Sequence, residues 1–404
     1  MTTRSRILVT LAASTVLVAA ALSQSASNNK PVNWQGLPEP FHTPSASNRP
    51  QVVAKPEGAG LEVPDGFKVE EYMTGFDNRP RFMRLGPSNE ILMTDSGERN
   101  EPTGILYVLH KGSKKKILEK LDRPFGLTFH EDWLYVAETT SVKRYKYDKH
   151  AMTVAAPGEE IVPLHDYGKG HWTRSILFDS DHKKLYVTVG SASNVDLNEP
   201  PARAALHRYN PDGSGHEVVA TGLRNTIGLR WRPGSDDLWA AIQERDGLGD
   251  NLVSDYLVQI KEGGFYGWPY AYSGPHEEPR HKDAAPDMVK KTRYPDVLLG
   301  AHVAVLDILF YTGEQFPAKY KGGLFLAFHG SWNRSKRVGY KIAYIPFEDG
   351  KPTSGPQDFL TGWSVGPDDR RVWGRPVGLL QMPDGSLLVS DDGGKKLWRI
   401  SYGG

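Results

Sequence analysis

The sequence contains no cysteine, and helical periodicity is nearly absent beyond the N-terminus. Without cysteine, disulfides, thiolate metal sites and cysteine catalysis are excluded. The formal net charge is only +1, which gives no overall attraction to nucleic acid or to acidic membranes, so we expect neither as a partner. Glycine (42 residues) and proline (29 residues) are abundant, as is typical of many short strands joined by tight turns.

One apolar stretch begins close to the N-terminus. Arg4 and Arg6 precede it, residues 7–22 are rich in Ala, Val and Leu, and Ala21 to Ser23 form a small-x-small cleavage pattern. We therefore predict a signal peptide over residues 1–26, a periplasmic or secreted mature protein, and no stable membrane insertion after cleavage. An uncleaved anchor is the alternative, although the stretch is short for a membrane span of about 20 residues.

A related phrase occurs six times along the chain: a turn, then a run of alternating hydrophobic residues that ends in small or acidic ones. The copies are NEILMTDSGER (89–99), EDWLYVAETT (131–140), KKLYVTVGS (183–191), DDLWAAIQER (236–245), GGLFLAFHGS (322–331) and GSLLVSDDGG (385–394). Self-similarity at intervals of roughly 40–50 residues is the mark of a β-propeller with four strands in each blade. The sequence therefore predicts an all-β, six-bladed propeller over residues 61–404.

Two segments flank this predicted ring. Residues 27–60 are polar, rich in Pro and Ser and without periodicity, so we interpret them as a linker or as an extended arm against the ring. The segment from Gly66 to Phe76 has strand character, and we predict that it closes the last blade.

Candidate functional residues recur at corresponding places in the blades. His171 in GHWTRS stands just before a blade strand, and an imidazole suits general-base work near neutral pH. Arg224 and Asn225 in GLRNTIGL occupy the equivalent place in the next blade, where a cation and an amide can hold an anionic or carbonyl-bearing ligand. Later blades add His329, Asn333, Arg334 and Arg375. Each residue alone is as well explained by a structural role, so the prediction depends on their convergence at the ring axis.

A Gly-punctuated acidic loop, QERDGLGDN (243–251), directly follows one predicted strand. Oxygen ligands on a bent backbone suit Ca²⁺, although the spacing differs from that of an EF-hand. A tight turn with solvated acids is the alternative. Trp332 and Trp373 are candidates for stacking on a flat ligand ring, with burial in the core as the alternative for either.

Taken together and in order, several motifs resemble the glucose/sorbosone dehydrogenase family. They are GHWTRS, GLRNTIGL, ERDGLGDN with GGFYGWP, FYTGEQFP with FHGSWNRS, and GRPVGL with PDGSLLVSDD. The resemblance extends from about Gly66 to the C-terminus and is strongest to the L-sorbosone dehydrogenase-like branch. It implies a six-bladed propeller that uses pyrroloquinoline quinone (PQQ) and Ca²⁺ to oxidise an aldose or sugar aldehyde and passes electrons to an unidentified acceptor.

The resemblance also implies roles for individual residues. His171 matches the catalytic base, and Arg224 matches the residue that polarises the quinone, with Asn225 beside it at the cofactor. The loop from Glu244 to Gly247 matches the calcium loop, where the backbone carbonyls of Asp246 and Gly247 would hold the ion. Arg375 matches a basic residue that faces the cofactor carboxylates.

The chain departs from the family pattern at three places. Some relatives have an Asp directly before the catalytic His, where this chain has Gly170. Relatives in the sorbosone branch often carry cysteines in the loop that corresponds to residues 191–196. A cofactor-binding lysine of the glucose enzymes has no clear counterpart near FHGSWNRS, where Asn333 or Arg334 would substitute. Two alternatives stay open at this point: a calcium-dependent lactonase-type propeller and a non-catalytic propeller that binds glycans or proteins.

Overall fold

The fold is seen in a computed structural model of the chain, which describes residues 29–403. The predicted signal peptide, residues 1–26, lies outside the described residues. Six antiparallel sheets are arranged as the blades of a propeller, which we number in the order of their innermost strands. The predicted all-β, six-bladed architecture is thus confirmed.

The first three blades are built from the innermost strand outward in chain order. Blade 1 consists of Pro80–Leu85, Ile91–Asp95, Gly104–His110 and Ser113–Leu121. Blade 2 consists of Leu127–His130, Trp133–Ala137, Ser141–Asp148 and Glu159–Pro163, and Thr153–Val154 also pairs with its third strand. Blade 3 consists of Ile176–Phe178, Leu185–Val189, Ala205–Tyr209, Glu217–Thr221 and a short parallel strand, Gly264–Phe265.

The remaining blades also begin at the innermost strand. Blade 4 consists of Thr226–Trp231, Leu238–Ile242, Ser254–Gln259 and Val297–Ala301. Blade 5 consists of Val305–Phe310, Leu324–Phe328, Lys341–Ile345 and Gln357–Leu360. Blade 6 consists of Pro376–Gln381, Leu387–Asp391, Lys396–Tyr402 and the N-terminal strand Phe67–Thr74.

Shorter elements complete the described part of the chain. Three small sheets pair Gln51–Val52 with Arg371–Val372, Ala271–Tyr272 with His276–Glu277, and Phe347–Glu348 with Lys351–Pro352. The helical elements are one α-helix, Pro286–Lys291, and the 3₁₀ turns His165–Tyr167, Pro279–His281 and Ala318–Tyr320. Within residues 29–403, no helix is long and apolar enough to span a membrane.

The ring closes as the sequence predicts. Phe67–Thr74 pairs antiparallel with Lys396–Tyr402, so the N-terminal strand completes the blade that the C-terminal strands begin. The innermost strands contact one another in sequence around the ring, and blade 6 contacts blade 1. They surround a central space that we call the hub.

The six repeated phrases form the second strands of the six blades. Residues 91–95, 238–242 and 387–391, for example, are buried along their whole length. Both faces of such a strand are covered by neighbouring blades, which explains a continuous apolar run bounded by turns. The outermost strand of blade 1, Ser113–Leu121, is mostly exposed and carries consecutive lysines instead. Burial therefore falls from the hub outward.

Residues 29–66 form an arm that runs along the blade surface. Near the hub, the Phe41 amide donates to the Leu248 carbonyl, and the Asp250 amide donates to Thr43 Oγ1 (2.7 Å). Further along, Glu62 pairs with Thr361. The arm therefore packs on loops of blades 4 and 5 before the chain enters blade 6.

Candidate active site at the hub

Two sets of loops meet at one end of the hub. In each blade the first and second strands are antiparallel, so the start of the first lies beside the end of the second. The registers that show this are Pro80 with Asp95, Thr226 with Ile242 and Pro376 with Asp391. The residues before each innermost strand and those after each second strand therefore share one face of the ring, where the predicted site residues lie.

His171 is half-buried at this face, and its ring has a defined orientation. Nδ1 lies 2.7 Å from the carbonyl oxygen of Ser191, so Nδ1–H donates and Nε2 carries the lone pair. Among residues 29–403, Nε2 has no hydrogen-bond partner. Burial, reinforced by the positive charge of Arg224, lowers the pKa of His171 to about 3. The imidazole is therefore neutral at physiological pH, and the orientation of the ring leaves the Nε2 lone pair available as an acceptor.

Arg224 is buried, and backbone and side-chain oxygens hold its guanidinium. It donates to the carbonyl of Glu244 (2.7 Å) and to the carbonyl and side-chain oxygens of Asn194 (both 3.0 Å). Its Nη2 also lies 3.8 Å from a carboxylate oxygen of Asp246. The planar fork of Arg224 thus joins two loops and holds its charge close to His171.

Asn225 and His171 both pack closely against Gly190. A Cβ on Gly190 would lie 2.6 Å from Asn225 Oδ1 and 2.8 Å from His171 Cβ, so only glycine permits this approach. The Asn225 amide donates to Gln243 Oε1 (3.2 Å), whereas its Oδ1 is buried without a partner among the described residues. A buried amide oxygen of this kind is available to a ligand donor.

The predicted calcium loop is held from two sides. The Asn194 side chain bonds to both the amide and the carbonyl of Asp246, at 2.9 Å each, and Asn333 Oδ1 accepts from the Gly247 amide (2.9 Å). Gly247 has φ +95°, which favours glycine, and its carbonyl accepts no hydrogen bond from residues 29–403. The loop therefore presents a fixed and unpaired backbone oxygen.

The acidic side chains of this loop differ in their surroundings. Glu244 is buried, its Oε1 has no partner among the described residues, and burial raises its pKa to about 7. The Asp246 carboxylate lies 3.3 Å from His302 Nδ1. No group of three or more His, Cys, Asp and Glu side chains within residues 29–403 is placed to hold a metal. The oxygen donors fit Ca²⁺, which would need further ligands from a cofactor or water.

At the start of blades 1, 2 and 6, Arg81, Arg123 and Arg375 form what we call the arginine cluster. Arg123 and Arg81 lie over the Trp172 ring, at 3.9 and 5.4 Å from its centroid. Burial, followed by the charges of Arg81, Arg79 and Arg99, lowers the pKa of Arg123 to about 10. The guanidinium of Arg375 lies near the carbonyls of His329 and Gly330 (3.3 and 3.4 Å).

One acid partly balances the arginine cluster. Asp392 pairs with Arg81 (2.8 Å) and accepts from His329 Nε2 (2.9 Å). Burial opposes ionisation, but Arg81 and His329 hold the pKa of Asp392 far below its usual range. Burial and Arg375 also lower the pKa of His329 to about 4. The cluster keeps a net positive charge, and planar guanidinium forks suit the carboxylates of a flat ligand such as PQQ.

Asn333 and Arg334 have different surroundings. Both polar ends of the Asn333 amide are used, because Oδ1 accepts from Gly247 and Nδ2 donates to the carbonyl of Ala46 (2.7 Å). Arg334 donates to the carbonyl of Asp250 and to Asn251 Oδ1 (2.8 Å). None of the described bonds joins Arg334 to the other predicted site residues. The structure thus places Asn333 at the calcium loop and Arg334 beyond it.

The two tryptophan candidates, Trp332 and Trp373, also lie in different surroundings. Trp373 is buried in the core and donates to the carbonyl of Gly362 (2.8 Å). Trp332 is 39% exposed, with the Arg49 guanidinium 5.7 Å from its ring centroid. The aromatic ring beside Arg81 and Arg123 is instead Trp172.

Sequence reasoning missed several residues of this site. They are Arg81, Arg123, Trp172, Asn194 and Asp392. Arg-Pro pairs at 123–124 and 375–376 lie at the start of blades 2 and 6, and this repeated pair was a signal for Arg123. In blade 1 the pair is 79–80, and the cluster residue Arg81 follows it. Asn194 carries no such signal, because its role depends on contacts with residues far away in the sequence. The Asp246 amide that it binds lies 52 positions further along the chain.

The TrAA12-like family matches residues 61–262 and 276–402. The chain belongs to this family. A Borreliella burgdorferi protein described as uncharacterized is 31% identical over 365 residues, which cover 87% of this chain and 93% of that protein. The PQQ-dependent pyranose dehydrogenase of Coprinopsis cinerea is 22% identical over 399 residues, covering 82% of this TrAA12-like chain and 53% of the fungal protein. The chain therefore spans about half of that enzyme's length.

Solved structures share the fold of this TrAA12-like protein. The holo PQQ domain of the C. cinerea pyranose dehydrogenase has a TM-score of 0.69 at 20% identity and covers 87% of this chain and 99% of that one. A calcium structure of the Trichoderma reesei family AA12 enzyme has a TM-score of 0.70 at 21% identity, and the match covers 88% of this chain and 99% of that one. The apo form of the aldose sugar dehydrogenase of Escherichia coli has a TM-score of 0.60 at 17% identity, and the match covers 83% of this chain and 99% of that one. The predicted resemblance to PQQ-dependent sugar dehydrogenases is confirmed.

Proposed function

We propose that this protein is a PQQ-dependent dehydrogenase that oxidises an aldose or a sugar aldehyde of the glucose or sorbosone type. The observation that carries the proposal is His171: a neutral imidazole with a free Nε2 among the described residues, set in a positively charged hub. Relatedness to PQQ-dependent sugar dehydrogenases supports the choice of cofactor and substrate class.

His171 would act as the general base. Oxidation of a sugar C1–OH to a lactone removes one proton from oxygen and one hydride, with two electrons, from carbon. Nε2 would take the proton, while bound PQQ would supply the hydride acceptor. Because Nδ1–H is engaged with Ser191, the ring does not have to change tautomer before it accepts the proton.

The residues around His171 would hold the cofactor. The arginine cluster would bind PQQ carboxylates, and the unpartnered Asn225 Oδ1 lies beside the base. Arg224 would place its charge where negative charge develops, since its guanidinium is already fixed by carbonyls. The carbonyls of Asp246 and Gly247 would bind Ca²⁺, and the same loop carries the buried Glu244.

The positive hub also bears on the alternatives. A lactonase-type site would need ionised and unpaired carboxylates gathered at the axis. Asp392 is paired with Arg81 and His329, Asp246 lies beside His302 and Arg224, and burial raises the pKa of Glu244. Export of the mature protein and reoxidation by a separate, unidentified electron acceptor complete the proposal.

Reconstitution tests the proposal directly. Purified apoprotein is titrated with PQQ in the presence and absence of Ca²⁺, and absorbance and melting temperature are followed. A panel of sugars is then screened with an artificial electron acceptor. We expect PQQ with Ca²⁺ to raise the melting temperature, as any ligand specific to the folded state does, and to yield turnover. Absence of PQQ binding, or binding without turnover on any sugar, would contradict it.

A further inference from the structure

His171 depends on a small set of neighbours for its orientation. Its backbone has φ +29°, an unusual conformation for a residue with a side chain. Arg174 holds the carbonyl of His171 at 2.6 Å. The preceding residue offers no side chain, and a Cβ on Gly170 would lie 2.3 Å from the carbonyl oxygen of Ala192. Position 170 therefore cannot carry a group that orients the imidazole.

Ser191 faces the imidazole with two oxygens. The carbonyl lies 2.7 Å from Nδ1, and Oγ lies 2.9 Å from it. The Ser191 hydroxyl already donates its proton to the carbonyl of Ser193 (2.7 Å), so towards the ring Oγ can only accept. Since both oxygens are acceptors, the proton of a neutral ring belongs on Nδ1.

Arg203 fixes the position of those oxygens. Its side chain is fully buried, and its guanidinium donates to the carbonyl of Ser191 (2.9 Å) and to the carbonyl of Gly170. It also donates to the carbonyls of Tyr167 and Gly168. One guanidinium thus ties the segment that carries His171 to the segment that carries its hydrogen-bond acceptor.

Within residues 29–403, no carboxylate bonds to Nδ1 of the ring. Glu199 accepts from the amides of Ala192 (2.7 Å) and Ser193 (2.6 Å) and so holds the loop, not the imidazole. The ring is oriented by neutral oxygens, and its charged neighbours are mainly Arg224, Arg203 and Asp246.

We propose that Ser191 and Arg203 are the positioning residues of His171: Ser191 fixes the tautomer that leaves Nε2 free, and Arg203 holds Ser191 in place. This inference rests on the proposed function for its catalytic meaning. Its structural content, the tautomer of one histidine, is measurable in the apoprotein without cofactor or substrate.

The first test is ¹⁵N NMR of the histidine rings in the apoprotein. Signals of His171 are assigned by their loss in His171→Gln, and the ring is followed between pH 5 and pH 8. We expect a protonated Nδ1 and an unprotonated Nε2 throughout. In Arg203→Met we expect a mixture of tautomers, and in Ser191→Ala a displaced Nδ1–H signal, because one acceptor is lost. Ser386→Ala, at another fully buried serine, is the matched control.

The second test is kinetic and uses the protein loaded with PQQ and Ca²⁺. Ser191→Ala should lower kcat at least about tenfold, with KM for the sugar and PQQ affinity unchanged, because misplacement of a catalytic group acts on the chemical step. Ser386→Ala should behave as the wild type.

The outcomes separate the two proposals. A wild-type ring protonated on Nε2, or ring signals that neither variant alters, overturns the role of Ser191 and Arg203 even if the enzyme is active. A loaded protein without turnover overturns the proposed function, while the ring signals still decide the tautomer. If Arg203→Met does not fold, the Nδ1–H signal in Ser191→Ala decides alone.

Discussion

The Arg81 guanidinium and the Asp392 carboxylate form an ion pair of 2.8 Å that joins blade 1 to blade 6. Their side chains are 8% and 6% exposed, so both charges are buried. Removal of one partner of such a pair leaves the other charge uncompensated, which costs about 3–5 kcal/mol. We predict a loss of this size for Asp392→Ala, measured by urea denaturation of the apoprotein.

The control for this prediction is an exposed ion pair. Arg79 and Glu98 lie 3.7 Å apart with side chains 43% and 59% exposed. Glu98→Ala should change the free energy of unfolding by less than about 1 kcal/mol. Equal losses in Asp392→Ala and Glu98→Ala would show that the ion pair does not stabilise the contact between blades 1 and 6.

Arg123 has no ion pair with any residue that the structure describes, and like charges surround it. Neutralisation in Arg123→Gln should therefore leave the melting temperature of the apoprotein unchanged or raise it. If the cluster binds PQQ carboxylates, the same change should weaken PQQ binding about tenfold or more, since a charge-assisted hydrogen bond contributes about 1.5–3 kcal/mol.

Lys183→Gln is a suitable comparison, because this side chain is 75% exposed in a surface turn of blade 3. It should leave PQQ affinity as in the wild type. Unaltered affinity in Arg123→Gln would remove Arg123 from the cofactor site.

The buried His207 should make the free energy of unfolding depend on pH. It is fully buried, and burial lowers its pKa to about 4, below the value near 6.5 expected in the unfolded chain. Between these values the unfolded state binds the proton and the folded state does not. Stability is therefore lost as the pH falls from 6.5 to 4, by up to about 1.4 kcal/mol per pH unit for this group.

The measurement is urea denaturation at a series of pH values. His171 and His329 have lowered pKa values as well and act in the same direction. His207→Gln should flatten the slope by about one proton, whereas His150→Gln, at an exposed turn, should not. An unchanged slope in His207→Gln would contradict the prediction.

Asn333 links the N-terminal arm to the calcium loop. Its amide bonds to Gly247 on one side and to Ala46 on the other, and the residue is 6% exposed. Asn333→Ala should lower the free energy of unfolding by about 1–3 kcal/mol, because buried partners are left unpaired. It should also raise the Ca²⁺ concentration needed to stabilise the PQQ-loaded protein.

Melting curves at increasing Ca²⁺ measure both effects. Asn78→Ala serves as the control, because the Asn78 side-chain amide donates an exposed bond to the carbonyl of Thr103 (3.3 Å). If the Ca²⁺ dependence of Asn333→Ala equals that of the wild type, the loop does not depend on Asn333.

The fold was predictable because its strongest signal is local. The second strands, such as 91–95 and 387–391, are buried on both faces and so repeat as apolar runs between turns. Phe67–Thr74 was predictable as the closing strand because a ring needs a partner for its last blade. The placement of His171, Arg224 and Arg375 at the hub was predictable because each precedes an innermost strand, a position that the repeat itself defines, whereas their roles stay predictions.

The remaining part of the site depends on contacts that no local pattern records. The bond between Asn333 and Ala46 joins residues 287 positions apart, and the path of the arm follows from such bonds. Nothing in the sequence distinguishes Ser191 from other serines after a strand. Its proposed role in orienting the imidazole is visible only because the folded chain places the His171 ring beside it. Asp392 follows a strand, as several other acidic residues do, so its sequence position does not distinguish it. Its ion-pair partner Arg81 lies near the other end of the chain, so no local pattern predicts the pair.

The proposed chemistry depends most on His171, and a stopped-flow experiment tests it most directly. Protein loaded with PQQ and Ca²⁺ is mixed with an oxidisable sugar, and reduction of the bound quinone is followed by absorbance. We predict that His171→Ala binds PQQ as the wild type does but reduces it at least about a hundredfold more slowly. His165→Ala, at an exposed histidine, should match the wild type. Equal rates in His171→Ala and the wild type would contradict the central claim.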